Sequence, residues 1–266
     1  MEIISSLQNS RIKNIVRLSS KAKERKEQGI FLIEGARELS LALTGGYVPD
    51  SVFICRELFA HTDYPHVLDN IPGHIRYEIA RRVYEKIAYR ENADGILALA
   101  QMRTHRPDDL HLPENPFLIL LEAVEKPGNL GAILRTADAA KVDGVIVCDP
   151  STDIYNPNTV RSSVGCLFTV PLAVCSSSEA LSWLKARGIH SFAADLAAGQ
   201  WYHETDFTQS SAIIMGTEAD GLSAFWLENA EQRIKIPMRG AIDSLNVSVS
   251  TAIITFEAMR QRSFKL

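Results

Sequence analysis

Short apolar runs and amphipathic stretches alternate through the first hundred residues. Ile12, Ile15 and Leu18 repeat at helical spacing, Asn9 can cap that helix and Gly29 can end it. The pattern places helices at 9–28, 36–43 and 81–89 and strands at 30–33, 52–55, 74–79 and 96–100. Together these elements predict a small α/β domain.

The second half of the chain carries a stronger pattern, in which the strand runs are almost wholly apolar. It predicts strands at 117–121, 145–148, 167–174, 191–194, 212–215 and 234–236, and helices at 130–140, 159–165, 179–187, 224–229 and 249–262. Pro171 interrupts the third of these strands. Apolar strands that alternate with helices are typical of a mostly parallel sheet covered on both faces.

The stretch between the two patterns, 103–116, has three prolines, two histidines, five charges and no apolar period. We therefore predict a first domain at 1–105, a linker at 106–116 and a second domain at 117–266. His105 and His111 have no further Cys or His at metal-ligand spacing, which favours surface histidines and predicts no metal site.

Composition narrows the class of protein. The chain is 46% hydrophobic and 23% charged, and no apolar run reaches the roughly 18 residues that suggest a membrane span, so we expect no membrane partner. Cys55, Cys148, Cys166 and Cys175 lack C-x-x-C spacing, which favours reduced thiols in a cytoplasmic protein.

The net charge of −4 conceals an uneven distribution. Residues 1–106 carry 16 Lys and Arg against 13 Asp and Glu, whereas residues 107–266 carry 12 against 19. Residues 11–26 alone hold seven basic side chains and one acidic one. A basic first part of the chain followed by an acidic second part suggests that the first part contacts a phosphate backbone. A solvated helix face explains the same charges.

Three predicted strand-to-helix loops, at 122–131, 215–221 and 236–248, are rich in Gly, Asn and Ser. Ligands bind at the carboxyl ends of strands in such sheets, so we expect the three loops to meet at one pocket. Each has a plainer reading, because Asn129 or Asn246 can cap a helix and Gly216 can serve a turn. None of the loops is a Walker loop or a G-x-G-x-x-G, which leaves a dinucleotide-dependent oxidoreductase without support.

The same residues resemble the SpoU (TrmH-like) branch of the SPOUT RNA methyltransferases. The motifs are N-x-G-x-x-x-R at 129–135, G-x-E-x-x-G at 216–221, and I-P-M followed by S-L-N-V-S at 236–248. The resemblance implies an α/β fold with a C-terminal deep trefoil knot, preceded by an L30e-like substrate-binding domain. It also implies a homodimer that uses S-adenosylmethionine to methylate an RNA ribose 2′-hydroxyl, without a metal.

The resemblance implies specific roles for several residues. Arg135 activates the hydroxyl, Asn129 holds the ribose or orients Arg135, Glu218 supports the catalytic loop, and Ser248 relays a proton. The residues expected to hold S-adenosylmethionine are Gly216, Ile236, Met238, Leu245, Asn246 and Ser248. A guanidinium stays charged in proteins, so we expect Arg135 to clamp a phosphate and stabilise the developing oxyanion rather than act as a free base.

We expect RNA to dock on basic residues, chiefly those of the first helix. These residues are Arg11, Lys13, Arg17, Lys21, Lys23, Arg25, Lys26 and Arg161. Within the family that the three motifs resemble, the two-domain layout implies ribosomal RNA as the substrate. Methylation of tRNA and a non-catalytic role in ribosome assembly remain the alternatives.

Overall fold

The computed structural model describes residues 3–89 and 94–264. The strands β1–β12 are Ile3–Ile4, Ile30–Glu34, Pro49–Ile54, Arg76–Ile79, Ile96–Gln101, Phe117–Glu122, Gly144–Cys148, Leu172–Cys175, His190–Ala194, Gln200–Trp201, Ser211–Met215 and Gln232–Lys235. The helices α1–α10 are Ser10–Ser20, Ala22–Gln28, Ala36–Thr44, Arg56–Phe59, Arg81–Ile87, Pro127–Ala139, Pro157–Ser162, Ser177–Ala186, Ala224–Asn229 and Val247–Gln261. Within the described ranges, no helix has the length and apolarity to cross a membrane.

The chain divides into two compact units. The first unit comprises the residues up to Thr104 together with Asp153–Thr169, and the second comprises His105–Thr152 and the residues from Val170 onward. This division differs from the predicted ranges in two ways. Residues 106–116 pack with the second unit, and an internal segment of the predicted second domain belongs to the first.

The first unit is built on a five-stranded sheet in the order β1-β4-β3-β5-β2. The helix predicted at 9–28 is two helices, because Lys21 has an extended backbone. The hydroxyls of Ser19 and Ser20 both donate to the Val16 carbonyl, 2.9 Å away, at the end of α1. The second helix ends as predicted at Gly29, which has a left-handed backbone with φ 64°.

Buried contacts explain why Asp153–Thr169 belongs to the first unit. Asp153 accepts a hydrogen bond from Arg25 Nε at 2.7 Å, and both side chains are buried. The Tyr155 ring lies 4.3 Å from that of Phe31, and Phe168 packs edge-on against another ring of this unit. The strand predicted at 167–174 is therefore shortened to β8, after a 3-10 turn at Cys166–Phe168.

The second unit contains a seven-stranded sheet in the order β10-β12-β9-β11-β6-β7-β8, and every pairing in it is parallel. Helix α6 packs against α10, and α8 packs against α9. All six residues of β6 are buried, and Leu118 and Leu120 join the apolar cluster that includes Trp226 of α9. The predicted parallel α/β sheet is confirmed, whereas the trefoil knot stays a prediction.

Candidate active site

The first motif loop joins β6 to α6. Pro127 occupies the first turn of α6, where its missing N–H costs no hydrogen bond, so the helix begins three residues before the predicted start. Asn129 consequently lies inside the first turn and is not the cap. At the end of β6, the buried Glu122 carboxylate accepts hydrogen bonds from Ser223 N at 2.8 Å and Ser223 Oγ at 2.6 Å, which ties this loop to the segment after the second motif.

The second motif loop leaves β11 as a tight turn closed by the bridge between Thr217 and Gly221. A Cβ on Gly216 would lie 2.2 Å from the backbone of Gly221, so no other residue fits at position 216 without moving the turn. Gly221 itself has a φ of 69°, which favours glycine. Two glycines therefore set the shape of this loop.

The third motif loop runs from β12 to α10, and Asn246 caps the helix. Its Oδ1 accepts hydrogen bonds from Ser248 N at 3.0 Å and from Ser248 Oγ at 2.6 Å. Because Oδ1 faces the helix, the Nδ2 donor of Asn246 points the other way, toward the first two loops. Asn246 therefore caps α10, and the cap also orients its side-chain amide toward the other two loops.

The three loops meet through one polar cluster, which consists of Lys126, Asn129, Glu218 and Asn246. Asn246 Nδ2 donates to Asn129 Oδ1 at 3.3 Å and to one oxygen of Glu218. The other oxygen of Glu218 accepts from Lys126 Nζ. The expectation that the loops converge is confirmed by these contacts.

The two charged residues of the polar cluster, Lys126 and Glu218, shift each other's pKa. The hydrogen bond from Lys126 has the largest effect and lowers the pKa of Glu218. Partial burial opposes it, and the amides of Asn129 and Asn246 lower the pKa further. The same pair raises the pKa of Lys126. The sequence analysis assigned no role to Lys126, although this lysine directly precedes Pro127, the residue that begins α6.

A cavity of about 340 Å³ lies between the second and third loops. Its apolar floor includes Met215, Leu222 and Ile234, and its rim includes the carboxylates of Asp195 and Asp243. The volume is within the range of about 300–1,000 Å³ that is usual for small-molecule sites. A planar apolar group can rest on this floor, and a cationic group suits the acidic rim.

Most of the predicted S-adenosylmethionine residues line this cavity. Those that do are Gly216, Ile236, Met238 and Leu245. Asn246 and Ser248 lie beside it, since Val247 and Ser250 are part of the lining. Sequence reasoning missed Asp195, which follows β9, although the rule that ligands bind at the carboxyl ends of strands could have found it.

Arg135 occupies a different position from the other motif residues. It is exposed on α6, six residues beyond Asn129, which is about 9 Å along the helix axis. It does not line the cavity. The role of Arg135 in the site therefore stays a prediction.

The basic residues predicted to bind RNA fall into two groups. Arg11, Lys13, Arg17, Lys21, Lys23, Lys26 and Arg161 are exposed. The prediction for Arg25 is wrong, because this side chain is only 2% exposed, forms the ion pair with Asp153 and donates to the Leu18 carbonyl at 2.6 Å. A buried cation held in this way cannot reach an RNA phosphate.

Comparison with known proteins identifies both parts of the chain. Residues 116–256 match the SpoU rRNA Methylase family, and residues 9–98 match the MRM3-like substrate binding domain. The 23S rRNA (guanosine(2553)-2′-O)-methyltransferase RlmP of Bacillus subtilis is 31% identical over 256 residues, which cover 96% of this chain and 98% of that protein.

Solved structures agree with the sequence comparisons. An AdoMet-bound rRNA methyltransferase from Sinorhizobium meliloti superposes with a TM-score of 0.87 at 30% identity, over 97% of both chains. The SpoU methyltransferase AviRb from Streptomyces viridochromogenes, in complex with AdoMet, gives a TM-score of 0.88 at 28% identity, over 97% of this chain and 100% of that one. The resemblance carried by the three motifs is thus confirmed, and the chain belongs to the SpoU rRNA Methylase family, with an MRM3-like substrate-binding domain ahead of its methylase domain.

Proposed function

We propose that the protein transfers the methyl group of S-adenosylmethionine to a ribose 2′-hydroxyl of ribosomal RNA. The observation that carries the proposal is that the three motif loops meet in the polar cluster, beside a cavity that the second and third loops line. Family membership and the ribosomal RNA activity named for the Bacillus subtilis relative support the same conclusion.

The cavity residues fit S-adenosylmethionine by shape and by charge. The backbone of Gly216, Ile236, Met238 and Leu245 offers amides and carbonyls to the edges of adenine and ribose. Asp195 and Asp243 complement the positive charges of the sulfonium and the amino group. When bound, S-adenosylmethionine supplies a methyl group that its positive sulfur already activates.

The polar cluster positions the reacting groups. Lys126 keeps Glu218 ionised and aimed at the Asn246 amide, and that amide in turn fixes Asn129. Asn129 and Asn246 are joined by a hydrogen bond, which orients both side chains. Each is therefore placed to accept a hydrogen bond from an incoming ribose or to donate one to it. Ser248 Oγ donates a hydrogen bond to Asn246 Oδ1, which leaves its lone pairs able to accept a hydrogen bond from the 2′-hydroxyl and to orient that hydroxyl.

Arg135 acts as an electrostatic clamp in this proposal. Its guanidinium stays charged at any working pH, so it cannot take up the hydroxyl proton. Its exposure leaves it able to hold a phosphate of the target nucleotide and to stabilise negative charge as it develops on the 2′-oxygen.

The first unit docks the RNA. Six cations on α1 and around α2 remain exposed once Arg25 is excluded, namely Arg11, Lys13, Arg17, Lys21, Lys23 and Lys26. Phosphate neutralisation by such residues gives affinity that is independent of sequence and falls with salt. The protein recognises its substrate class with this surface and performs the reaction with the second unit.

A homodimer is also part of the proposal. Val249 and Phe256 on α10 are 46% and 42% exposed, and they lie seven residues apart, which places them on one helix face with the half-buried Ile253 between them. An exposed apolar stripe of this kind suits a second copy of the chain. Because its substrate is ribosomal RNA, we place the protein in the cytoplasm.

The experiment that tests the proposal is methyl transfer from labelled S-adenosylmethionine to total RNA, followed by separation of ribosomal RNA from tRNA and alkaline hydrolysis. A methylated 2′-oxygen cannot attack the neighbouring phosphate, so the label should appear in alkali-resistant dinucleotides of ribosomal RNA. Label in tRNA would favour the tRNA alternative. Label in a base, or no incorporation, would refute ribose methylation.

A further inference from the structure

The first unit contains an exposed stack of a tyrosine and an arginine. Tyr89 is 58% exposed, and the guanidinium carbon of Arg161 lies 4.9 Å from the centre of its ring. Arg161 also donates a hydrogen bond to Asn158 Oδ1 at 3.0 Å. A cation and an aromatic ring are thus presented to solvent together.

Both side chains extend from anchored backbone. The backbone amide of Tyr89 donates to the buried carboxylate of Glu34 at 2.9 Å. Arg161 lies on α7, whose cap, Asn156, accepts a hydrogen bond from Asn158 N at 2.9 Å. The backbone from which each side chain extends is therefore held before any ligand arrives, which lowers the cost of binding.

A second stack in the same unit differs in exposure. Arg11 lies 4.2 Å from the centre of the Tyr77 ring, and the Phe53 ring stacks on Tyr77 at 5.5 Å with an interplanar angle of 27°. Tyr77 is half-buried, and protein groups on both sides use its ring. Tyr89 exposes more than half of its surface, so its ring can receive a partner from outside.

We propose that Tyr89 and Arg161 form a stacking platform for an unpaired nucleobase of the RNA. Every base has an apolar face that stacks on an aromatic ring, and an arginine beside the ring adds a second planar cation that can also reach a phosphate. The platform deepens the proposed function, on which it rests. It supplies stacking on unpaired bases, which the cations of α1 and α2 do not provide.

The platform predicts that the protein distinguishes unpaired from paired RNA. Two fluorescein-labelled probes of equal charge serve as ligands, a hairpin with an unpaired loop and a fully paired duplex. We expect wild-type protein to prefer the hairpin. Tyr89→Leu should weaken hairpin binding by about 5- to 150-fold, the range that corresponds to one stacked base, and should leave duplex binding unchanged.

Matched variants separate stacking from charge and from folding. Tyr89→Phe keeps the ring and should bind the hairpin within about twofold of wild type. Tyr64→Leu removes another tyrosine of the first unit, 40% exposed, and should change neither affinity. Arg161→Ala should lower the slope of log affinity against log salt by about 1, whereas Tyr89→Leu should leave that slope unchanged.

Different results would overturn different proposals. Equal binding of hairpin and duplex by wild type, or an equal loss on both probes for a folded Tyr89→Leu, would overturn the platform and leave the methyltransferase proposal standing. Hairpin binding by Tyr89→Phe as weak as that by Tyr89→Leu would also overturn the platform alone. Failure of wild type to bind either RNA would count against both proposals.

Discussion

Replacement of Asn246 by aspartate separates the two tasks of this side chain. Asn246 caps α10 through Oδ1 and holds Glu218 and Asn129 through Nδ2. Aspartate is an equally good cap, and its charge suits a helix N-terminus. Asn246→Asp should therefore keep the helix and lose only the two contacts of the donor.

The size of the effect follows from those contacts. The amide of Asn246 donates to the carboxylate of Glu218, and a hydrogen bond to a charged group contributes about 1.5–3 kcal/mol. The new carboxylate would face that of Glu218, and two such charges about 4 Å apart repel by about 1 kcal/mol in water. If the orientation of this cluster matters in the transition state, the lost bond alone lowers kcat by about 10- to 150-fold.

The assay is the initial rate of methyl transfer to ribosomal RNA at saturating S-adenosylmethionine and RNA. Asn9→Asp is a matched control, because Asn9 caps α1 with the same geometry, accepting from Arg11 N at 2.9 Å. Both variants should melt within a few degrees of wild type. Only Asn246→Asp should lose activity. A folded Asn246→Asp with kcat within twofold of wild type would refute the claim that this amide organises the site.

Three further changes test other parts of the account. Gly216→Ala should abolish S-adenosylmethionine binding in a calorimetric titration, because its Cβ would meet backbone at 2.2 Å, whereas Gly240→Ala has open space and should bind normally. In Lys126→Met the pKa of Glu218 should rise toward the ordinary value of about 4.3, which moves the acid limb of the pH–kcat/KM profile to higher pH. Arg25→Ala should lower the free energy of unfolding in urea by about 3–5 kcal/mol, because it leaves a buried carboxylate unpaired.

The sign of the pH effect follows from the lowered pKa of Glu218 in the folded protein. Its contribution to stability is present above the ordinary pKa of about 4.3 and is lost as the pH falls through the lowered value. Lys126→Arg keeps the charge and should keep the wild-type profile. Superimposed profiles for Lys126→Met and wild type would contradict the role of this ion pair. Normal S-adenosylmethionine binding by Gly216→Ala, or unchanged stability of Arg25→Ala, would contradict the other two predictions.

Patterns that are local in the sequence predicted the second unit well. Strands buried on both faces leave continuous apolar runs, so β6, β7 and β11 lie within one residue of their predicted ends. The edge strands β1 and β10 were missed, because two residues carry no periodicity. The three loops were predicted as one site since all three follow strands of a parallel sheet.

Long-range pairing accounts for what the sequence could not reveal. Arg25 has the same local surroundings as its exposed neighbours, and its burial depends on Asp153, 128 residues away along the chain. The place of Asp153–Thr169 in the first unit depends likewise on partners such as Phe31, across a hundred residues or more. The predicted start of α6 was wrong for a different reason. Proline is common at the first position of a helix, so Pro127 was a local signal for the observed start.

The central claim is that three distant loops form one S-adenosylmethionine site. A crystal structure of the protein with S-adenosylmethionine tests it most directly. The account predicts the adenine on the apolar floor beside Met215 and Ile234, with the methyl group directed toward Asn246. Cofactor bound elsewhere on the chain, or a methyl group directed away from the polar cluster, would contradict it.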